Sequence, residues 1–282
     1  MIADLTTLKN RYLEQASLTW RDRQTHRAPC LTCLHNDTPE AKAYVKALAK
    51  NGETACVTVD AICVSGSHTK WREIIESLNS NADVDGILVV SPPKDLQNYN
   101  SLIADNKNVE GNDFDDRVDR VSVTAQSIVE TIAFLRQKET RAVKGSNQEL
   151  ISGLNVVILG YGKAVGKPLV YLLMRNHAGS AVALHQYTSP TFGKSLIENC
   201  DVVVCATGDQ HAMRFFVHPD DLHGKTIIDA GINEVDGKIQ GDVDPDVWGG
   251  DNLITPVPGG IGAITTAMIL RNTAWAAKGL LI

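Results

Sequence analysis

Three glycines spaced G-x-G-x-x-x-G (Gly160, Gly162 and Gly166) are the residues whose type and spacing point most directly to chemistry. They follow the apolar run Val156, Val157, Ile158, Leu159 and precede a helical pattern expected to start near Lys163. A glycine turn between a buried strand and a helix lets the backbone approach a pyrophosphate closely. The helix start adds unpaired N–H groups and the positive end of a dipole. The spacing is one residue longer than the common G-x-G-x-x-G dinucleotide turn, and a strand-to-helix turn that binds nothing would use the same glycines. A second group is Cys30-x-x-Cys33 with His35 nearby. No second C-x-x-C or H-x-x-x-H follows, and both cysteines lie in the apolar run 28–34, so they read as structural thiols in a strand, and no metal site is expected.

The elements that must position these residues follow from periodicity. Residues 4–22 carry Leu5, Leu8, Tyr12, Leu13 and Leu18 at helical spacing. A strand is expected at 29–34, then a turn at Asn36-Asp37-Thr38-Pro39 and a helix holding Tyr44, Val45 and Leu48 that stops at Asn51-Gly52. A strand at 56–63, a helix at 70–78 and the continuous apolar strand 84–90 come next, ending at Ser91-Pro92-Pro93. Residues 106–112 read as a polar glycine loop, 124–136 as a helix and 137–150 as a polar connection. A second series follows, with strands at 156–159, 181–184, 202–206 and 226–230 and a helix at 164–175. That rhythm belongs to a doubly wound parallel sheet, whose ligands bind along the carboxyl edge. Gly208, the Asp229-Ala230-Gly231-Ile232-Asn233 segment and Thr255-Pro256 fall on that edge. A long apolar helix at 263–280 is expected to return to the first domain. The fold class is therefore α/β with two domains, residues 1–136 plus 264–282 and residues 137–263.

Composition narrows the function. The chain has 282 residues, 43% of them hydrophobic, and a formal net charge of −6, which is ample for a core and lacks the basic footprint of a nucleic-acid surface. No apolar run of about 18 residues is present, so no membrane span is expected. The amphipathic N-terminus lacks the apolar core of a signal peptide, and six cysteines without such a signal fit reduced thiols in a cytoplasm.

Several segments together resemble one family. GYGKAVGKP is similar to the glycine turn of the methylenetetrahydrofolate dehydrogenase/cyclohydrolase family, and CDVVVCATG, KTIIDAGIN, GDVDPDV and ITPVPGGIGAITTAMILRNT resemble its later segments in the same order. VDGILVVSPP and NKNVEGN resemble two earlier ones, so the resemblance runs from about residue 28 to residue 275. It implies a folate-binding first domain completed by the last helix, and a Rossmann-type middle domain that binds NADP, with NAD possible. The implied reaction oxidises 5,10-methylenetetrahydrofolate by hydride transfer to the nicotinamide, a step that chiefly needs geometry and tolerance of positive charge. In many members the methenyl product is then hydrolysed, a step that needs a group of tuned pKa. The resemblance also implies a homodimer; no nucleic-acid or membrane partner is expected from the charge and the lack of a long apolar run.

Carried over residue by residue, the family's helix tyrosine falls on Tyr44, its lysine on Leu48 and its serine on Ala41. A second register instead places Lys46 at the lysine and Lys42 at the tyrosine. The family glutamine is Val90, and its pterin-binding carboxylate is Glu110 in place of Asp. Catalytic candidates are thus Tyr44, Lys46 and Glu110, and the substrate-binding set adds Leu48, Val89, Val90, Ser91, Pro258, Gly259 and Gly260. Cofactor candidates are Gly160, Tyr161, Gly162, Lys163, Val165, Gly166, His185, Gln186, Thr207, Gly208, Gly231, Ile232, Gly262 and Thr265. Tyr161 and Gly162 replace the family's arginine and serine. Asp229 and Asp242 read as strand-end and turn residues. With a lysine and a glutamine lost together, the expectation is a dehydrogenase with weak or absent cyclohydrolase activity. The alternative is a degenerate paralogue that binds folate or dinucleotide in a regulatory or structural role, and a third reading is an enzyme of the same fold acting on another pterin or one-carbon carrier.

Overall fold

The computed structural model describes residues 1–21, 27–93, 96, 99–111, 121–140, 145–219, 222–235 and 238–280. In chain order the first elements are α1 (Thr6–Arg21), β1 (Cys30–His35), α2 (Pro39–Ala55), β2 (Thr58–Cys63), α3 (His68–Ser80) and β3 (Gly86–Val90), followed by short 3-10 turns at Tyr99–Leu102 and Asp105–Lys107. Then come α4 (Val123–Thr140), α5 (Asn147–Ile151), β4 (Asn155–Leu159), α6 (Gly166–Arg175), β5 (Ser180–Leu184), α7 (Pro190–Glu198) and β6 (Val202–Cys205). The last are β7 (Thr226–Asp229), β8 (Asn233–Val235), β9 (Lys238–Gln240), α8 (Pro245–Trp248), β10 (Leu253–Ile254) and α9 (Ile261–Ala277). The chain forms two compact units, one of Met1–Leu8 with Asp116–Ile264 and one of Lys9–Asp115 with Thr265–Ile282.

The smaller unit is built on a three-stranded parallel sheet in the order β2-β1-β3. Central β1 and its neighbour β3 read CLTCLH and GILVV, and their near-complete burial matches the continuous apolar runs that parallel strands covered on both faces require. Thr38 caps α2, its hydroxyl accepting from the Ala41 N–H at 3.3 Å, and Pro39 fills the first turn where no N–H is needed. The expected stop at Asn51-Gly52 is not used. Gly52 is a buried helical position, because α2 lies so close to the sheet that a Cβ there would meet the Val57 carbonyl at 2.7 Å. The helix ends at Cys56, whose φ of +56° makes the left-handed cap. Helix α9 returns to this unit as expected. Its Asn272 donates to the Val109 carbonyl at 2.9 Å, and its Thr273 lies where a Cβ on Gly86 would meet it.

The larger unit holds a five-stranded parallel sheet in the order β10-β7-β6-β4-β5. Strand order reverses between β4 and its neighbours β5 and β6, so the switch point lies at the ends of β4 and β6. Leu159, Val203, Ile227, Trp248 and Ile254 belong to its buried core. The polar stretch 137–150, expected as a connection, is helical at both ends. Helix α4 continues to Thr140, and α5 begins in a capping box between Ser146 and Glu149, while 141–144 lie outside the described residues. The expected boundary after residue 136 thus falls inside α4. Helix α7 and the antiparallel pair β8–β9 add to the expected pattern. Asn112, the end of the expected glycine loop, and Asp22, the end of the expected first helix, also lie outside the described residues.

Candidate active site

In the smaller unit, α2 turns Tyr44 and Leu48 toward the interior one helical turn apart. Leu48 is fully buried, and Tyr44 is half-buried with its hydroxyl hydrogen-bonded to the side chain of Thr266 on α9. Burial drives the Tyr44 hydroxyl well above its ordinary value. Thr266 partly opposes that shift, and the neighbouring Glu110 and Cys33 reinforce it, so this phenol stays neutral. Lys42 and Lys46 are exposed on the outer surface of the same helix, Lys42 paired with Asp37 at 2.6 Å. Lys46, two residues from Tyr44, is about 200° around the helix from it and is not brought to this group.

Glu110 follows the buried Val109 and is half-buried, receiving a hydrogen bond from the Tyr99 hydroxyl at 3.4 Å. Cys33, fully buried on β1, faces the same group, and burial first and Glu110 second push its thiol up to about 12. Cys30 and Cys33 are three residues apart on a strand and so point to opposite faces; the Cys30 thiol donates to Asp60 at 3.4 Å. This is the structural role expected for them. Val89 is buried near the end of β3, Val90 half-buried at its last position, and Ser91 exposed with φ of +52°. The environment beside Glu110 is therefore a neutral phenol, a neutral thiol and apolar side chains.

In the larger unit, Gly160 lies at the switch point with φ of +106°, and a Cβ there would meet the Ala206 carbonyl at 2.5 Å. Helix α6 begins at Gly166 and not near Lys163. The Lys167 N–H closes the turn on the Gly162 carbonyl at 3.0 Å, and Gly166 is seated against the Gly160 carbonyl where no side chain fits. Tyr161, Gly162 and Lys163 are exposed on this turn, Val165 is half-buried and provides no side-chain cap, and Lys167 sits over the Tyr161 ring at 5.3 Å. His185 and Gln186 are exposed after β5, and the Thr188 hydroxyl accepts from the His185 N–H at 3.1 Å.

Two buried carboxylates hold the remaining loops of this edge. Asp242 accepts through one oxygen from the Thr207 N–H at 2.7 Å, the Thr207 hydroxyl at 2.9 Å and the Gly208 N–H at 3.0 Å, and through the other from Asn233 at 2.9 Å. Asp229 accepts from the N–H groups of Gly231 at 2.9 Å, Asp242 at 3.0 Å and Val243 at 3.0 Å. Both are the structural residues expected, and they fix Thr207, Gly208 and Gly231 in place. Ile232 and Gly262 are exposed and Thr265 is buried. Pro258 and Gly259 are exposed and Gly260 buried in the turn that leads into α9, after a cis Val257–Pro258 bond. Sequence reasoning missed Thr266, Tyr99 and Cys33 as neighbours of the Tyr44–Glu110 group. No local signal marks them, because each comes from a different part of the chain.

The switch-point edge fits a pyrophosphate. Gly162 and Gly208 have open space where a Cβ would stand, and α6 presents an N-terminus that no side chain caps. A parallel sheet with a glycine turn at its switch point, in a chain with a second parallel α/β unit, defines a two-unit nucleotide-binding α/β protein. Residues 140–280 match the sequence model described as tetrahydrofolate dehydrogenase/cyclohydrolase, NAD(P)-binding domain. The bifunctional protein FolD of Leuconostoc mesenteroides is 33% identical over 219 residues, 73% of this chain and 72% of that protein. The bifunctional protein FolD 2 of Desulfitobacterium hafniense is 33% identical over 253 residues, covering 85% and 82%. The crystal structure of the bifunctional enzyme FolD from Campylobacter jejuni superposes with a TM-score of 0.80 at 25% identity over 99% of each chain. This chain belongs to the tetrahydrofolate dehydrogenase/cyclohydrolase family.

Proposed function

We propose that this protein oxidises 5,10-methylenetetrahydrofolate with a nicotinamide dinucleotide and has little or no methenyltetrahydrofolate cyclohydrolase activity. The larger unit binds the dinucleotide and the smaller one the folate. The observation that carries this reading is the composition of the Tyr44–Glu110 group, in which Leu48 is fully buried and both Lys42 and Lys46 face outward. Glu110 supplies a carboxylate for N–H donors of the pterin ring, and the Tyr44 ring supplies a face for stacking, its hydroxyl held by Thr266. Oxidation breaks one C–H bond of the methylene bridge, the electron pair leaves with the hydrogen, and the bridge carbon becomes a cationic amidinium. The dinucleotide, when bound, accepts that hydride.

Hydrolysis of the amidinium would need a group to take a proton from water. The neutral Tyr44, the neutral Cys33, Leu48 and Val90 supply none, and the one carboxylate of the group, Glu110, is engaged by the N–H donors of the pterin ring in this reading. For the dinucleotide, Gly160, Gly162, Gly166 and Gly208 line the pyrophosphate edge. No acidic residue stands at 184–188 to claim a ribose diol, while Lys163 and His185 offer positive or donor groups. NADP is therefore the proposed cofactor. The protein is proposed to work in a cytoplasm, which its six free cysteines support, and as a homodimer, which the family resemblance implies. Among the described residues no helix is long and apolar enough to cross a membrane.

The test supplies the pure protein with methylenetetrahydrofolate and either NADP⁺ or NAD⁺ and follows nicotinamide reduction by absorbance. A second arm follows methenyltetrahydrofolate loss. Reduction with a hydrolysis rate close to the uncatalysed one supports the proposal. Rapid hydrolysis refutes its second half, and binding of folate without reduction of either nucleotide replaces it with a degenerate binding protein.

A further inference from the structure

Glu110 carries one more rotatable bond than an aspartate would, so its carboxylate has more positions to choose from and more entropy to lose when it meets a ligand. The structure holds it from the side. Tyr99 donates its hydroxyl to Oε2 of Glu110 at 3.4 Å, and Tyr99 has only two side-chain torsions of its own. The backbone beneath each partner is tied down independently. The turn Tyr99–Leu102 is pinned to α3 by Asn79, whose amide donates to the Leu102 carbonyl at 2.7 Å and accepts from the Ala104 N–H at 2.8 Å. The Tyr99 ring packs against the core that contains Trp71, Ile75 and Ile103. On the other side, Asn108 accepts from the Gly111 N–H at 3.1 Å, and Asn272 of α9 fixes the Val109 carbonyl at 2.9 Å. Two rigid supports therefore meet at one hydroxyl–carboxylate contact.

We infer that Tyr99 is a positioning residue that orients the Glu110 carboxylate toward the pterin ring and so sets affinity for the folate. This rests on the function proposed above. It makes Tyr99 and Glu110 one unit. The tyrosine acts through the carboxylate, not on the substrate, so its loss weakens folate binding without slowing hydride transfer.

Tyr99→Phe removes the hydroxyl and keeps the packed ring. Tetrahydrofolate affinity is measured by calorimetric titration for the wild type, Tyr99→Phe, Glu110→Ala and the double variant, with thermal melting as a check on folding. Tyr99→Phe is expected to weaken tetrahydrofolate binding by about threefold to tenfold, the net worth of a typical protein hydrogen bond. In the Glu110→Ala background, where no acceptor is left for the Tyr99 hydroxyl, the same change is expected to have almost no effect, which a purely structural role for Tyr99 would not produce. In turnover with methylenetetrahydrofolate, KM rises and kcat and the dinucleotide KM stay within about twofold. Unchanged affinity in Tyr99→Phe, or equal losses in both backgrounds, overturns the inference and leaves the proposed function standing. A wild-type protein that binds no tetrahydrofolate overturns the proposed function first.

Discussion

Burial pushes the Asp229 carboxyl up to about 6, even though three backbone N–H groups favour its charged form, and the nearby Asp242 adds repulsion. An unfolded aspartate titrates near 3.8. Because the folded value lies above the unfolded one, the native state holds this proton more tightly. Stability therefore rises as pH falls through the folded value and levels off below the unfolded value. The full span of about two pKa units corresponds to roughly 3 kcal/mol, of which about 1 kcal/mol is gained between pH ~7.5 and pH ~5. Asp229→Asn removes the titration. It also sets an amide N–H₂ against at least one backbone donor, at a cost of about 1–3 kcal/mol at every pH, while relieving the buried charge at neutral pH. Urea unfolding of both proteins at the two pH values separates these effects. The wild type should gain about 1 kcal/mol more than the variant on acidification, a midpoint difference of roughly 0.4 M for a slope of about 2–3 kcal/mol/M. Exposed carboxylates such as Asp4 and Asp251 are held below their ordinary values and pull the other way, but they act equally in both proteins. Parallel pH profiles would refute the assignment of a raised, titrating Asp229.

Two further outcomes are expected. Gly160→Ala places a methyl group against the Ala206 carbonyl at a φ of +106°, and should cost about 2–4 kcal/mol in melting experiments and weaken dinucleotide binding more than tenfold by fluorescence titration. Retention of both properties would show that this turn does not approach the nucleotide. Lys46→Ala, on the exposed surface of α2, should change stability by less than about 0.5 kcal/mol and leave dehydrogenase kcat/KM within about twofold. A tenfold fall in kcat/KM would reinstate Lys46 as the lysine of the site.

Much of the architecture was legible because its signals are local. The runs that became β3, β4 and β6 are nearly continuous and apolar, and the Thr38-Pro39 start of α2 is a cap formed by neighbouring residues. The errors came where a local signal was overruled by a distant surface. Gly52 looked like a helix stop, but it is a point where α2 presses against Val57 and Val59, at the start of the strand that follows. The polar residues after 136 looked like a linker, but polarity marks exposure, and α4 continues through four of them at its exposed end. The start of α6 moved to Gly166 because the turn needed that glycine for clearance against Gly160, a requirement that periodicity does not encode.

By itself the amino-acid sequence determined the β-α order, the glycine turn at the end of β4 and the apolar character of position 48, since each depends on residue type and near neighbours. Tertiary structure alone decided that Tyr44 meets Thr266, that Tyr99 meets Glu110 and that Asp229 and Asp242 bind loops from three segments. The physical reason is range. Helix and strand patterns follow from contacts a few residues apart, whereas a hydrogen bond between residues far apart in the chain exists only once packing has fixed both backbones that carry it.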